Sequence, residues 1–428
     1  MEAIVDRAAG LDVHQGSVVA CVIIGVAGHR AAKEVRSFGA MSRDLAALRA
    51  WLLELGVTHV GMEGTGVYWQ PVHAALEGAF TIMVGNAAHM RHVPGRKTDV
   101  KDAEWIAELV RHGLVHPSFV PPPAVRVLRE LIRHRKALVG NLATERNRTL
   151  KLLESAGIKL AGVMSDVFGV SGMLMLKALA EGVATPVAMA ELAQRRLRRK
   201  RDQLALALDG HLAEHERFLL KTHIRRLEEI GRDLAEVEAA IGTAMRPFAA
   251  QQALLVTIPG VDTLTAAAIV AEIGVDMTAF GTAQRLAAWA GVCPANHESA
   301  GKQKRRGTRK GNPYLKATLM TAAVCASRTR GSYLRDKFHR LRARMGAKKA
   351  AMAVAHKILM AVFHMLQRAV AFADLGADYL DRVDKHRTAK RLIRRLDALG
   401  YEVMLRPKAA ASPTATAMLC QPPASPAG

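Results

Sequence analysis

Four acidic residues early in the chain have the types and spacing of a metal-dependent phosphodiester site. Asp12 lies in "LDVH", Glu63 in "GMEGTG", and Asp99 and Asp102 in "GRKTDVKDAEW". Residues three apart on a helix are surface neighbours, so Asp99 and Asp102 can face the same way. Four carboxylates drawn together repel one another unless cations sit among them. Hard oxygen ligands select Mg²⁺ or Mn²⁺. Two such ions about 4 Å apart clamp the attacking and leaving oxygens of a phosphodiester. Each acid also has a plainer reading. Asp99 and Asp102 suit a helix N-terminus, where negative charge is favoured. Glu63, before Gly64-Thr65-Gly66, suits a turn. Asp12 is harder to explain that way, because Asp is depleted in strands.

A second constellation lies far downstream, in "NHESAGKQKRRGTRKGNP". Ser299 stands just before Lys302, Lys304, Arg305, Arg306, Arg309 and Lys310, six cations in nine residues. A serine hydroxyl is a weak nucleophile at neutral pH and needs activation. His297 is two residues away, but nothing in the spacing makes it a base for Ser299. A metal held by the distant carboxylates would supply activation, and the cations would bind flanking phosphates. The plainer reading is a basic loop that grips nucleic acid through its backbone.

The acids need a scaffold that brings them together. "IVDRAAGLDVH" and "SVVACVIIG" read as two strands of a hairpin, and "KEVRSF" as a third strand. A helix follows, with Ser42 as N-cap and Leu45, Leu48, Leu52 and Leu55 on one face. "VTHVGME" is a fourth strand ending at Glu63, "VYWQPVHAAL" a short helix and "FTIMV" a fifth strand. A basic loop leads to a helix beginning near Asp99. The order β-β-β-α-β-α-β-α is that of the ribonuclease-H-like fold. In that fold strands one and four are adjacent, so Asp12 and Glu63 point at a common spot and the last helix delivers Asp99 and Asp102.

"VPPPAV" breaks the chain, and a long helix follows over roughly Val125 to Ser155. "LAQRRLRRKRDQ" reads as a cationic helix face. Leu220, Leu227, Leu234 and Ile241 then recur every seven residues, with Ile230 and Val237 between them and His223 interrupting the seam. This fits either a helix packed within its own chain or an intermolecular coiled coil. A second globular unit runs from about Leu254 to Leu375 and opens with "LLVTIPGVDTLTAAAIVAEIG". That stretch resembles a helix-hairpin-helix, with Asp262 in place of the usual second glycine; an ordinary αα-hairpin is the alternative. The tail "AAASPTATAMLCQPPASPAG" has a disordered composition. The expected fold class is α/β plus α: a ribonuclease-H/RuvC-like N-terminal domain (1–120), a long helical, coiled-coil middle (121–250), a mostly helical C-terminal domain with the hairpin motif (251–375), and a basic extension with its tail (376–428).

The 428 residues carry a formal charge of +23, which points to nucleic acid before an anionic membrane. Aromatics are only 4%, so phosphate contacts are expected to outweigh base stacking. Cys21, Cys293, Cys325 and Cys420 are scattered, without a CxxC pair. Neither a disulfide framework nor a zinc site is expected, and a reducing cytoplasm fits. The N-terminus has no signal-peptide pattern, and no apolar run is expected to reach membrane-spanning length.

At the motifs "LDVHQ", "MEGTGVYW", "GRKTDVKDAEWIA" and "GVCPANHESAGKQKRRGTRKGNPYLK" the sequence resembles the transposases of the "IS one-ten" insertion sequences. The resemblance covers nearly all of the first 375 residues. It implies a DEDD RuvC-like domain whose acids fall on Asp12, Glu63, Asp99 and Asp102, and a C-terminal domain whose nucleophilic serine falls on Ser299. It further implies Mg²⁺ or Mn²⁺ as cofactor, double-stranded donor and target DNA as partners, a serine–phosphate link to DNA, and a structured guide RNA encoded by the element. A homodimer or homotetramer, cytoplasmic and associated with a bacterial nucleoid, is expected. Two other readings stand beside it. A RuvC-like nuclease using water would keep the acids and make Ser299 a bystander. A non-catalytic nucleic-acid-binding protein would carry a broken acid set, and the set here is whole.

Overall fold

The structure is a computed structural model. It describes residues 3–26, 29–64, 66–85, 102–294, 298–299, 302–303, 307–308 and 310–406, with 298–299 and 302–303 described in their backbone only. The N-terminal unit is a five-stranded mixed sheet. Its strands are β1 (Arg7–Val13), β2 (Ser17–Ile24), β3 (Ala32–Gly39), β4 (His59–Glu63) and β5 (Thr81–Gly85), in the spatial order β3-β2-β1-β4-β5. β1, β2 and β3 form an antiparallel meander, while β4 joins β1 and β5 joins β4 in parallel. Period-two alternation sorts the side chains of the central strands. Ala9, Leu11, Val60 and Met62 pack under α1 (Ser42–Glu54) and α2 (Trp69–Leu76). Ala8, Cys21 and Ile23 face the other way, under α3 (Asp102–Arg111).

The expected order of strands and helices is therefore present. Ser42 is the first helical residue of α1, and the capping position falls on Met41, whose side chain makes no cap hydrogen bond. The expected start of the last helix near Asp99 lies outside the described residues.

Pro123 opens α4 (Pro123–Ser155), a 33-residue helix. Beyond it α5 (Val170–Glu181) and α6 (Arg201–Leu208), with the shorter helices Leu160–Val163 and Pro186–Glu191, close a small core around Met175, Leu176, Leu204 and Leu208. "LAQRRLRRKRDQ" is not a continuous helix face. Arg195–Lys200 is a 3-10 turn entered through Arg195 at φ 51°, and α6 starts only at Arg201.

The chain returns as α7 (Glu214–Met245). Arg135 pairs with Glu238, and Glu145 with His223 and Arg226, so α7 runs antiparallel to α4 of the same chain. The seven-residue seam is used within the chain: Leu220, Leu227 and Ile241 are buried and Leu234 half-buried. His223 interrupts the seam because its Nδ1 meets buried Glu145 at 2.5 Å. Glu145 sits below the usual carboxylate range; burial pushes it up, but His223, Arg148 and Arg226 outweigh that.

The C-terminal unit comprises α8 (Ala249–Val256), α9 (Thr263–Ile273), α10 (Ala283–Ala290), the short strands β6 (Glu298–Ser299) and β7 (Lys302–Gln303), α11 (Pro313–Ala326), α12 (Tyr333–Met345) and α13 (Ala347–Arg368). Its core also takes Leu128 from α4 and Ile241 and Met245 from α7, so the long helical pair is rooted in it. By length and composition α13 could cross a membrane, contrary to the expectation that no apolar run would reach that length. Its Val354, Ile358, Leu359, Val362 and Phe363 are buried in the C-terminal core. A short turn, Tyr379–Val383, leads to α14 (Lys385–Asp397). The Pro/Ala/Ser-rich tail lies outside the described residues.

The helix–turn–helix at α8 and α9 is present, and Asp262 has a structural role there. Its Oδ1 accepts from Thr265 N–H at 2.7 Å, capping α9, and the Thr265 bonds hold its carboxyl below the ordinary value. A fixed carboxylate thus occupies the helix N-terminus at which a phosphate would bind. Gly260, at φ +84°, lies against the backbone of α11: a Cβ would stand 2.4 Å from Ala326 N. The glycine serves helix packing.

Candidate active site

The C-terminal ends of the central strands β1 and β4 explain how two strands and a helix present acids together. Parallel pairing sets Leu11 beside Met62, so Asp12 and Glu63 follow one step further along neighbouring strands. Leu11 and Met62 face α1 and α2; Asp12 and Glu63 alternate to the face covered by α3. Two glycines let α3 down onto that face. A Cβ on Gly10 would lie 2.2 Å from both Ala103 O and Ala107 N, and one on Gly61 would lie 2.3 Å from a Val110 methyl. The C-terminal end of α3 is tied near the start of β1, where Ile4 N–H donates to Arg111 O at 2.9 Å. The helix therefore runs against the strands, and its first residue, Asp102, falls at the end where Asp12 and Glu63 emerge.

Asp12 and Glu63 are half-buried and Asp102 is exposed. Asp99 lies outside the described residues. Among the described residues no three His, Cys, Asp or Glu side chains gather into a metal-holding group. The three acids share one end and one face of the sheet, with the hard oxygen donors that Mg²⁺ or Mn²⁺ takes. They fit a divalent ion in chemical type, while the described set is short of a closed ligand shell.

His14 is a neighbour that the motif spacing alone does not single out. Its Nε2 lies 3.0 Å from Asp12 Oδ2 and orients that carboxylate. The i, i+2 spacing in "LDVH" is the available signal. Cys21, under α3, is no rival nucleophile: burial first, then nearby Glu104, pushes its thiol up to about 11.

Substituting Gly10 by Ala is expected to lift α3 from β1, because the obstruction is backbone. Overpacking of this kind costs about 1–3 kcal/mol. Gly61→Ala meets only the side chains of Val110 and Ile106, which can shift, and should cost less. Thermal unfolding of both variants checks the order; equal stability of Gly10→Ala and wild type would contradict the packing account.

Ser299 sits on a small hairpin. β6 and β7 pair antiparallel, Glu298 with Gln303 and Ser299 with Lys302, with Ala300 and Gly301 between them in sequence. The feet of the hairpin are pinned. Pro294 bridges Thr308, Asn312 N–H donates to Trp289 O, and Lys316 Nζ donates to Thr308 Oγ1 at 2.6 Å. Gly311 lies so close to the chain at Trp289–Gly291 that a Cβ would stand 2.4 Å from Gly291 N. Of the six expected cations, Lys310 is exposed and Lys302 is described in its backbone. Lys304, Arg305, Arg306 and Arg309 lie outside the described residues.

Behind this hairpin stands a buried charge network. Glu272 of α9 is 1% exposed. Arg133 of α4 donates to both its carboxylate oxygens at 2.9 Å, and Asn312 Nδ2 donates to Oε2 at 2.6 Å. Arg129 donates to the carbonyls of Ala271 and Glu272. Burial draws the Arg129 guanidinium down to about 10, whereas the paired Arg133 is raised by its bond to Glu272. Both remain cations at neutral pH. Asn312 Oδ1 also caps α11, accepting from Tyr314 and Leu315. The residue that ends the basic loop is thus fixed to α4, α9 and α11 together.

The same region is joined to the sheet through a strap. Pro117 bridges Gly85 at the end of β5, and the Phe119 ring lies tilted against Phe280 at 4.8 Å and edge-to-face with Trp289 at 6.0 Å.

The comparisons with known proteins name the class of this chain: a transposase. A DEDD-type transposase model matches residues 9–158, and the model of the transposase IS116/IS110/IS902 family matches residues 252–339. The chain is also similar to a Pseudomonas aeruginosa protein described as a probable family 20 transposase, 26% identical over 289 residues, which are 66% of this chain and 75% of that one. The chain belongs to the IS110-type transposases.

Proposed function

We propose that this transposase cuts and rejoins DNA through a transient phosphodiester between Ser299 and a DNA strand. The N-terminal unit acts as a ribonuclease-H/RuvC-like domain in which Asp12, Glu63, Asp99 and Asp102 hold Mg²⁺ or Mn²⁺. When bound, the ion supplies Lewis-acid stabilisation of charge on the phosphate oxygens and lowers the pKa of a hydroxyl. The chain's own groups do the rest. His14 keeps the Asp12 carboxylate in one orientation. Lys302, Lys304, Arg305, Arg306, Arg309 and Lys310 bind phosphates beside the scissile bond. The Ser299 Oγ–P bond forms, the bond from phosphorus to the leaving sugar oxygen breaks, and the proton lost from the Ser299 hydroxyl is balanced by the one that the sugar oxygen takes up. Attack by the hydroxyl of the second strand reverses the step and frees Ser299.

The observation that carries this reading is the Ser299 hairpin, paired to Lys302 and pinned at both feet, in a chain that also carries acids at the ends of its adjacent central strands β1 and β4. Donor and target duplexes are its substrates, a structured guide RNA its proposed further partner, and a homodimer or homotetramer its proposed assembly. Purified protein given donor and target DNA with Mg²⁺ should yield joined strands. Ser299→Ala should bind both DNAs and yield none; joining at the wild-type rate by that variant would replace the serine with water or another group.

A further inference from the structure

At and beyond the end of the second matched family segment, residue 339, the chain builds a cationic groove. It lies between α12 and α14, encloses about 920 Å³, and has Leu341 and Leu380 among its lining residues. From α12 it receives Lys337, Arg340 and Arg344, and from α14 Arg387, Lys390, Arg391 and Arg394. Each set repeats at helical spacing along one face, so the groove has two facing rails of positive charge. Asp384 is the one carboxylate among its lining residues, and it caps α14 through Arg387 N–H.

Two of the arginines are structural. Arg340 reaches Asp336 at 2.7 Å and Asp381 at 2.5 Å, and Arg391 reaches Asp381 at 3.5 Å, which ties the two walls together. Lys337, Arg344, Arg387, Lys390 and Arg394 form no ion pair among the described residues. The field reaches further: His356 is held below its ordinary value by burial first, then by Lys357 and Lys337.

α14 buries no residue, and its cations recur three and four apart on one face. Its half-buried positions are Thr388, Ala389 and Ile393, and the like-charge repulsion along its cationic face would be relieved by a polyanion. Each rail covers eight residues, and its seven steps make about 10 Å of helix at about 1.5 Å per residue. That spans about three phosphates at the 3.4 Å rise of one duplex strand. No Phe, Tyr or Trp is among the residues lining the groove, and His386 is the one aromatic ring there, so charge outweighs stacking surface.

We propose that this groove holds backbone phosphates of a DNA duplex outside the reacting site, as a second, sequence-independent grip. The choice of DNA rests on the transposase class and not on Ser299. The test measures the affinity of the full-length protein for a long duplex against salt. Lys390→Glu/Arg394→Glu should weaken binding at least about tenfold and lower the slope of log affinity against log salt by about 2, near 0.9 for each phosphate no longer neutralised. Lys337→Gln/Arg344→Gln, on the opposite wall, should act in the same direction and guards against a mere unfolding of α14, which circular dichroism would reveal. Both variants should form the Ser299 adduct normally on a short duplex that covers only the reacting site, so loss of the grip and failure of the serine chemistry read out separately. Unchanged affinity and slope in both variants would overturn the proposal. So would a loss confined to structured RNA or to anionic lipid vesicles, with duplex DNA binding intact.

Discussion

Asp102→Ala should lower DNA strand cleavage by at least about a hundredfold, the scale on which a group stabilising transition-state charge acts. The variant should fold. Asp102 is exposed at the first position of α3, and Ala is the better helix former. The lost charge at the helix N-terminus costs about 0.3–1 kcal/mol. The packing of Ala103, Ile106, Ala107 and Val110 on the sheet is untouched. Asp12→Ala should behave alike, with His14 losing its partner as well. DNA binding should persist in both, because the cations that grip phosphate are elsewhere. Chelation with EDTA should silence the wild type, and Mg²⁺ should restore it. Cleavage undiminished in Asp102→Ala, or in EDTA, would remove the carboxylate site from the mechanism.

The second large effect is on stability. Glu272→Ala should destabilise the C-terminal unit by about 3–5 kcal/mol, the cost of breaking a buried pair by removing one partner. The carboxylate is nearly fully enclosed, and its removal strands Arg133 and takes the acceptor from Asn312. Glu272→Gln keeps an acceptor and the volume and should lose less. Asn312→Ala removes the cap of α11 as well, worth about 1 kcal/mol by itself. Denaturant unfolding ranks the three. Because Asn312 closes the basic loop, Asn312→Ala should also slow adduct formation more than it weakens DNA binding. Equal losses in both would make the network merely structural.

How far the sequence reaches differs from one element to the next. The apolar runs in "RAAGLDV" and "HVGME" are enough to place strands, but the shared face of Asp12 and Glu63 depends on the register that sets Leu11 beside Met62, which no local pattern gives. The same strands hold Gly10 and Gly61, whose use appears only once α3 is packed on them. A lone acid in the apolar "AAAIVAEIG" hints at a buried pair, but Arg129 and Arg133 reach it from a distant helix that no local pattern links to it. The heptad seam is legible as apolar and silent about its partner, which is α4 of the same chain along much of its length. Asp262, a departure from a hairpin motif by sequence, is a helix cap. The charge run at Arg195 is helical by composition, whereas Arg195–Lys200 forms a 3-10 segment.

The most direct measurement is the site of covalent attachment. Wild-type protein stopped during reaction with DNA and Mg²⁺, digested with protease and nuclease, should give one peptide carrying a nucleotide on the Ser299 hydroxyl, absent from Ser299→Ala and Asp102→Ala. A nucleotide on any other residue, or an adduct of undiminished yield in Ser299→Ala, would contradict the account.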